Sequence, residues 1–188
     1  MSYQKKIVEI NNTLNDVDHC ITPAKCPPIY DVTLKDGEEI QVMELGVRDG
    51  KRQFILVDCL KKPYRMNPTD TTKGGYDACE LRSKLNGEIL ARFPDELRAA
   101  MVPFENGDLL KLPSDEEIFG NEDGDGQFEC MKDVRNRIAM CGKGGYITTY
   151  WLSAVAPSWT FGDANSSGAA RDNGAAVNGV RPRFQLRE

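Results

Sequence analysis

The chain has 188 residues, enough to bury a full core as one domain, with hydrophobic residues at 40% and charged residues at 28%. Its 24 basic and 29 acidic side chains are well mixed and leave a net charge of −5, which excludes a basic stripe for tracking phosphates and sets nucleic acid aside as a partner. Residues 144–162 carry no charge, but Gly144, Gly145, Pro157 and several hydroxyls interrupt them, so no membrane span is expected.

Residues 1–19 place Ile7, Ile10, Leu14 and Val17 at spacings of three and four on a polar segment, the pattern of a short amphipathic helix. So short a helix needs a partner surface, either its own domain or a neighbouring subunit, and a homo-oligomer through residues 1–19 is the corresponding expectation. No apolar run follows Lys5 and Lys6, so the chain is expected to be made in the cytoplasm without a signal peptide. A proline-stiffened connection follows, giving an extension over residues 1–28 and a domain over 29–188. D-V-T-L, E-I-Q-V-M-E-L-G-V and R-Q-F-I-L-V-D-C-L then read as strands separated by turns at Asp36-Gly37 and Asp49-Gly50, an antiparallel meander.

From Gly75 the apolar period lengthens. A helix opening at Asp77 or Ala78 carries Leu81, Leu85, Ile89 and Leu90, and Pro94 starts a second with Leu97 and Met101 inward. Residues 109–113 predict a short strand, and Ser114 with Glu117 three residues on forms a capping box. Another short helix is expected over 131–139. The β-branched and aromatic run 146–153 reads as a core strand, and the closing G-V-R-P-R-F-Q-L places Pro182 at a strand start. Helices in the middle, strands at both ends and no βαβ alternation predict an α+β domain with antiparallel strands and central helices. Residues 158–178, rich in Gly, Ala, Ser and Asn, read as a long C-terminal loop rather than a central strand.

No catalytic constellation, metal site or cofactor is expected. His19, the single histidine, sits at the end of the polar N-terminal segment, and with Cys20 and Cys26 it does not complete four zinc ligands. Asn121, Asp123 and Asp125 fall at positions one, three and five of a calcium loop with Gly126 at six, but position twelve is Lys132 where a bidentate glutamate is required. The glycines of residues 142–145 are too few for a phosphate cradle and precede a strand, so they read as a tight turn. Six cysteines in a chain this long, with Cys59 and Cys79 inside apolar stretches, are expected to be reduced thiols.

Trp151 on its strand, and Arg181 with five donors just before Pro182, are expected to serve the core, while Arg82 bridges its helix to a loop. Ligand contact is expected from the loop tract. Trp159 and Phe161 offer aromatic faces, and Asp163, Asn165, Arg171, Asp172, Asn173 and Asn178 offer directional polar groups suited to a protein or glycan surface. The alternative is a tract that packs over the fold with Trp159 and Phe161 turned inward.

Several segments together resemble a bacterial and phage domain family of poorly known function. They are Leu81-Arg82-Ser83-Lys84-Leu85-Asn86-Gly87, Leu112 to Gly120, Tyr150-Trp151-Leu152-Ser153, and Gly179-Val180-Arg181-Pro182 with Phe184 and Leu186. The resemblance spans residues 40–188. It departs at Leu152-Ser153, where the family has an arginine before the serine, and at Arg183, where a small apolar residue is usual. What it implies is a C-type-lectin-like fold, related in outline to phage receptor-binding domains and sulfatase-modifying enzymes, without implying calcium or sugar binding. The expectation for function is a non-catalytic structural or ligand-binding module, such as a phage head or tail accessory protein or a bacterial surface-recognition protein. The alternative is a cysteine-dependent redox enzyme using Cys130 and Cys141.

Overall fold

The computed structural model describes residues 27–156, 160–165 and 168–188. The helix expected within residues 1–19, the oligomer contact assigned to it, and His19 lie outside the described residues. The described chain mixes antiparallel sheets with short helices and is an α+β domain. No helix among the described residues is long and apolar enough to cross a membrane.

Strands β1 (Ile29–Thr33), β2 (Glu39–Arg48) and β3 (Lys51–Leu56) form the meander. Arg48 pairs with Lys51 across Asp49-Gly50, both at positive φ (51° and 64°), as a two-residue hairpin requires. A bulge between Glu44 and Gly46 shifts the register, with Gly46 at φ 112°. The last strand, β9 (Arg183–Arg187), returns to lie antiparallel to β3, giving the order β1-β2-β3-β9.

At β3 and β9 this sheet is buried on both faces, which is why these two strands read as nearly continuous buried runs rather than alternating ones. On one face Phe54, Leu56 and Phe184 pack with Leu81, Leu85, Ile89, Phe93, Trp151 and Phe161. Phe54 and Phe184 stack at 5.2 Å, and Phe93 meets Phe184 edge-on at 6.2 Å. On the other face Met43, Leu45 and Ile55 pack with Ile118, Phe128, Met131, Tyr150, Leu152 and Ala164.

Helix α1 (Glu80–Lys84) follows a 3₁₀ turn at Tyr76–Ala78, and its N-cap is Cys79, whose sulfur accepts the Arg82 N–H. The helix runs on through a π turn, Leu85–Ile89, which turns Leu81, Leu85 and Ile89 onto the core. Helix α2 (Asp95–Ala100) follows Pro94, and α3 (Asp115–Phe119) carries the full Ser114/Glu117 capping box.

Three local expectations give way. Residues 131–139 form 3₁₀ turns (Glu129–Lys132, Val134–Arg137) instead of a helix, because Asp133 between them caps the Arg135 N–H and restarts the chain. Residues 109–113 contribute a single bridge, Lys111 to Arg183. The run 146–153 divides into β5 (Ile147–Thr148), paired with β4 (Ala139–Met140), and β6 (Tyr150–Ala156). The break falls at Thr149, whose carbonyl accepts the Gly179 N–H, so Tyr146 and Ile147 stay exposed.

The residues read as a long C-terminal loop form strands β7 (Thr160–Asn165) and β8 (Gly168–Asn173), in a sheet ordered β6-β7-β8. Central strand β7 buries Phe161, Gly162, Asp163 and Ala164 in succession. A strand enclosed on both faces at close quarters favours small side chains, and that packing overrides the weak β propensity of Gly and Ala.

Candidate functional site

The residues expected to serve the core occupy it. Trp151 is fully buried, donates its indole N–H to the Tyr64 carbonyl at 2.8 Å and meets Phe161 edge-on. Arg181 is 1% exposed, and its guanidinium donates to the Leu56 carbonyl (2.7 Å), the Asn136 carbonyl (2.9 Å) and the Tyr150 hydroxyl (3.2 Å). Pro182 lends its carbonyl to the Leu56 N–H, and Arg82 joins α1 to the loop that follows α2 through Asp108 at 2.6 Å.

The residues expected to face a ligand divide. Phe161 turns inward against Trp151. Asp163 is buried and accepts from the Asn178 side chain at 3.2 Å, while Asn165 ends β7 half-buried. Arg171 and Asn173 lie in β8 opposite Gly162 and Thr160. Trp159 and the side-chain contacts of Arg171 and Asn173 lie outside the described residues.

An open cleft of about 410 Å³ lies where the end of this tract meets the segment leading to α1. One wall is Lys62 to Pro68, tied to residues 174–178 by the backbone. Tyr64 and Asn178 exchange N–H···O bonds at 3.0 and 3.2 Å, and the Asn67 N–H donates to the Gly174 carbonyl at 2.9 Å. The Asn67 side chain holds the other wall in place, accepting the Glu80 N–H at 3.0 Å and donating to the Thr71 carbonyl at 2.7 Å. Val177, half exposed, closes one end.

The cleft is cationic with apolar patches. The Lys62 ammonium sits 4.8 Å from the Tyr64 ring centroid, and Lys84, paired with Glu80 at 2.9 Å, approaches the ring at 6.0 Å. Burial and the neighbouring Glu88 push the Tyr64 phenol above its usual range, so it stays a neutral floor. Lys62 and Arg65 are exposed, and neither forms an ion pair with a described residue. Pro63, Pro68 and Val177 supply the apolar surface. Three cations and one carboxylate line the cleft, with Glu88 beside the Tyr64 phenol, so on a chain of net charge −5 this is a local excess of positive charge. This cleft is not among the sites expected from the sequence. Its signal was K-K-P-Y-R at 61–65, which crowds three cations around one aromatic ring beside a proline.

Elsewhere the groups weighed for chemistry are taken up in structure. The Asn121 carboxamide oxygen accepts the Asp123 and Asp125 N–H groups, and Lys132 pairs with Glu129. Among the described residues no group of three or more His, Cys, Asp or Glu is placed to hold a metal. Cys59, Cys79, Cys130 and Cys141 are free thiols. Cys130 packs beside the second core cluster, while Cys141 stands across from Cys59.

Residues 50–188 match the family described as a domain of unknown function, DUF6273. No curated protein and no solved structure matches the chain.

Proposed function

This chain belongs to the DUF6273 family, and we propose that it is a non-catalytic binding module that takes an acidic sugar in the Lys62–Tyr64–Arg65 cleft. The observation that carries this reading is the meeting, in one open cleft, of apolar surface with Lys62 and Arg65, neither of which has an ion pair among the described residues. A carboxylate would settle between Lys62 and Arg65, whose planar fork matches it with two parallel hydrogen bonds. The carbon face of the sugar ring would lie on Pro63, Pro68 and Val177, and the Tyr64 ring beneath fixes Lys62 in place. Openness suits the end of a polymer on a cell or particle surface better than an enclosed metabolite. A place on a virion or bacterial surface, within a lectin-like architecture, belongs to the same proposal.

Isothermal titration with a uronate-containing oligosaccharide and its neutral counterpart tests this reading. The acidic sugar should bind and the neutral one should not, and Lys62→Ser with Arg65→Ser should weaken binding by about tenfold or more, each tenfold being ~1.4 kcal/mol. Both changes are on exposed side chains, so the unfolding midpoint should stay put. Equal binding of the two sugars, no binding of either, or an unchanged affinity in the double variant would reject the proposal.

A further inference from the structure

Cys59, just beyond β3, and Cys141, in the turn between β4 and β5, face each other across an isolated parallel bridge. The Cys59 N–H donates to the Met140 carbonyl at 2.9 Å, and the Cys59 carbonyl accepts the Gly142 N–H at 3.0 Å. Bonds to the residues on either side of Cys141 make it the direct counterpart of Cys59, and paired residues of parallel strands project to the same face. Neighbouring strands run about 4.8 Å apart, inside the roughly 4.4–6.8 Å window that disulfide-linked Cα atoms occupy.

Cys59 points its sulfur at Gly179, where a Cβ would lie only 2.6 Å from it, so the bare glycine makes space for the thiol. Cys141 donates its thiol to the Lys61 carbonyl at 3.3 Å and its N–H to the carbonyl of the exposed Tyr146 at 2.8 Å. The two thiols differ in access, since Cys59 is 1% exposed and Cys141 is half-buried. Burial pushes the Cys59 thiol up to about 12, which leaves Cys141 to react first.

We propose that Cys59 and Cys141 form a reversible intramolecular disulfide in response to a hydroperoxide, clamping the β4–β5 hairpin to the end of β3. The Cys141 thiolate attacks the terminal peroxide oxygen, the O–O bond breaks, and the departing alkoxide or hydroxide takes a proton. Cys141 is then a sulfenic acid, oxidised by two electrons while the peroxide is reduced. The Cys59 sulfur attacks the Cys141 sulfur, the S–O bond breaks, and hydroxide leaves as water with the Cys59 proton. In sum, two thiols and one hydroperoxide give one disulfide, one alcohol (or water) and one water. A dithiol reductant reverses the link by exchange.

The test uses the full chain treated with hydrogen peroxide, alkylated and mapped by mass spectrometry without reduction. The expected product is a Cys59–Cys141 linked peptide that has lost two hydrogens and that dithiothreitol separates. Cys141→Ser should leave Cys59 reduced under the same treatment. Cys59→Ser should leave Cys141 as a sulfenic acid trapped by dimedone, with an unchanged near-ultraviolet circular dichroism spectrum showing that the variant is folded. Linkage of Cys141 to Cys20, Cys26, Cys79 or Cys130 would overturn the proposal. So would Cys141 over-oxidised with Cys59 still reduced, or both thiols left unchanged.

Discussion

Replacing Glu117 with glutamine should strand a buried arginine. The Glu117 carboxylate accepts from Arg183, from Lys111 at 3.0 Å and from the Ser114 N–H at 2.9 Å, with the Arg183 side chain 4% exposed and that of Glu117 12% exposed. Glutamine keeps the size and an acceptor for the helix cap but removes the charge. Breaking a buried pair by removing one partner costs ~3–5 kcal/mol, most of it the penalty of the charge left behind. Because Glu117 keeps an edge toward water and its cap survives, we expect the lower end, about 3 kcal/mol. Urea unfolding at neutral pH, followed by the fluorescence of buried Trp151, measures it. Adding Arg183→Met removes the stranded guanidinium and should recover about 1 kcal/mol or more. The pH dependence has a definite sign. Burial alone would raise the Glu117 carboxyl, but Arg183 and Lys111 outweigh it and hold it below the usual carboxylate range. A depressed folded-state value means the stabilisation is complete above the unfolded-state value and is lost as pH falls through the folded one. The advantage of wild type over Glu117→Gln should therefore shrink in acid. A loss below about 1 kcal/mol for the single change, or a double variant weaker than the single one, would refute the reasoning.

Two further changes test the interior. Arg181→Leu leaves the Leu56 and Asn136 carbonyls without their donor, at ~1–3 kcal/mol for each buried orphan, so a total of about 3 kcal/mol should appear as a lowered thermal midpoint; an unchanged midpoint would mean that water replaces the guanidinium. Gly179→Ala sets a Cβ 2.6 Å from the Cys59 sulfur and 3.0 Å from the Thr149 carbonyl oxygen, a clash worth ~1–3 kcal/mol that Cys59→Ala in the same chain should partly relieve in urea unfolding. Additive losses in that pair would place the strain elsewhere.

Where a local rule and the global packing agree, the chain could be read directly. Asp49-Gly50 needs two positive φ angles, Ser114 and Glu117 satisfy each other within one turn, and Pro94 begins the second helix; none of these depends on a distant residue. The α+β class followed from the same local signals. What was misread depends on partners far along the chain. Gly162 and Ala164 suit a strand only because both its faces are covered. Thr149 ends a strand because Gly179 binds its carbonyl. The cleft was missed for a similar reason. Lys62, Tyr64 and Arg65 sit in one short stretch, but Lys84 and Val177 join them only once Tyr64 pairs with Asn178. Phe161, offered as a ligand face, turned inward because Trp151 gives its ring an edge-on neighbour.

The position of β9 bears on how the domain is made. Its residues 183–187 complete the edge of β3 at 51–55, so that edge stays unpaired until residues 183–187 have emerged. The meander forms from neighbours and can form early, whereas the β3–β9 closure joins residues 51–55 to residues 183–187 and carries the loop-closing cost of distant contacts. During synthesis the uncovered edge of β3 is the surface most exposed to wrong pairing with another nascent copy. Lys51 at the start of β3 puts a positive charge there, whereas the Arg52 charge is already met by Glu44 of β2 at 2.6 Å, and like charges on two copies would repel each other while β9 is awaited.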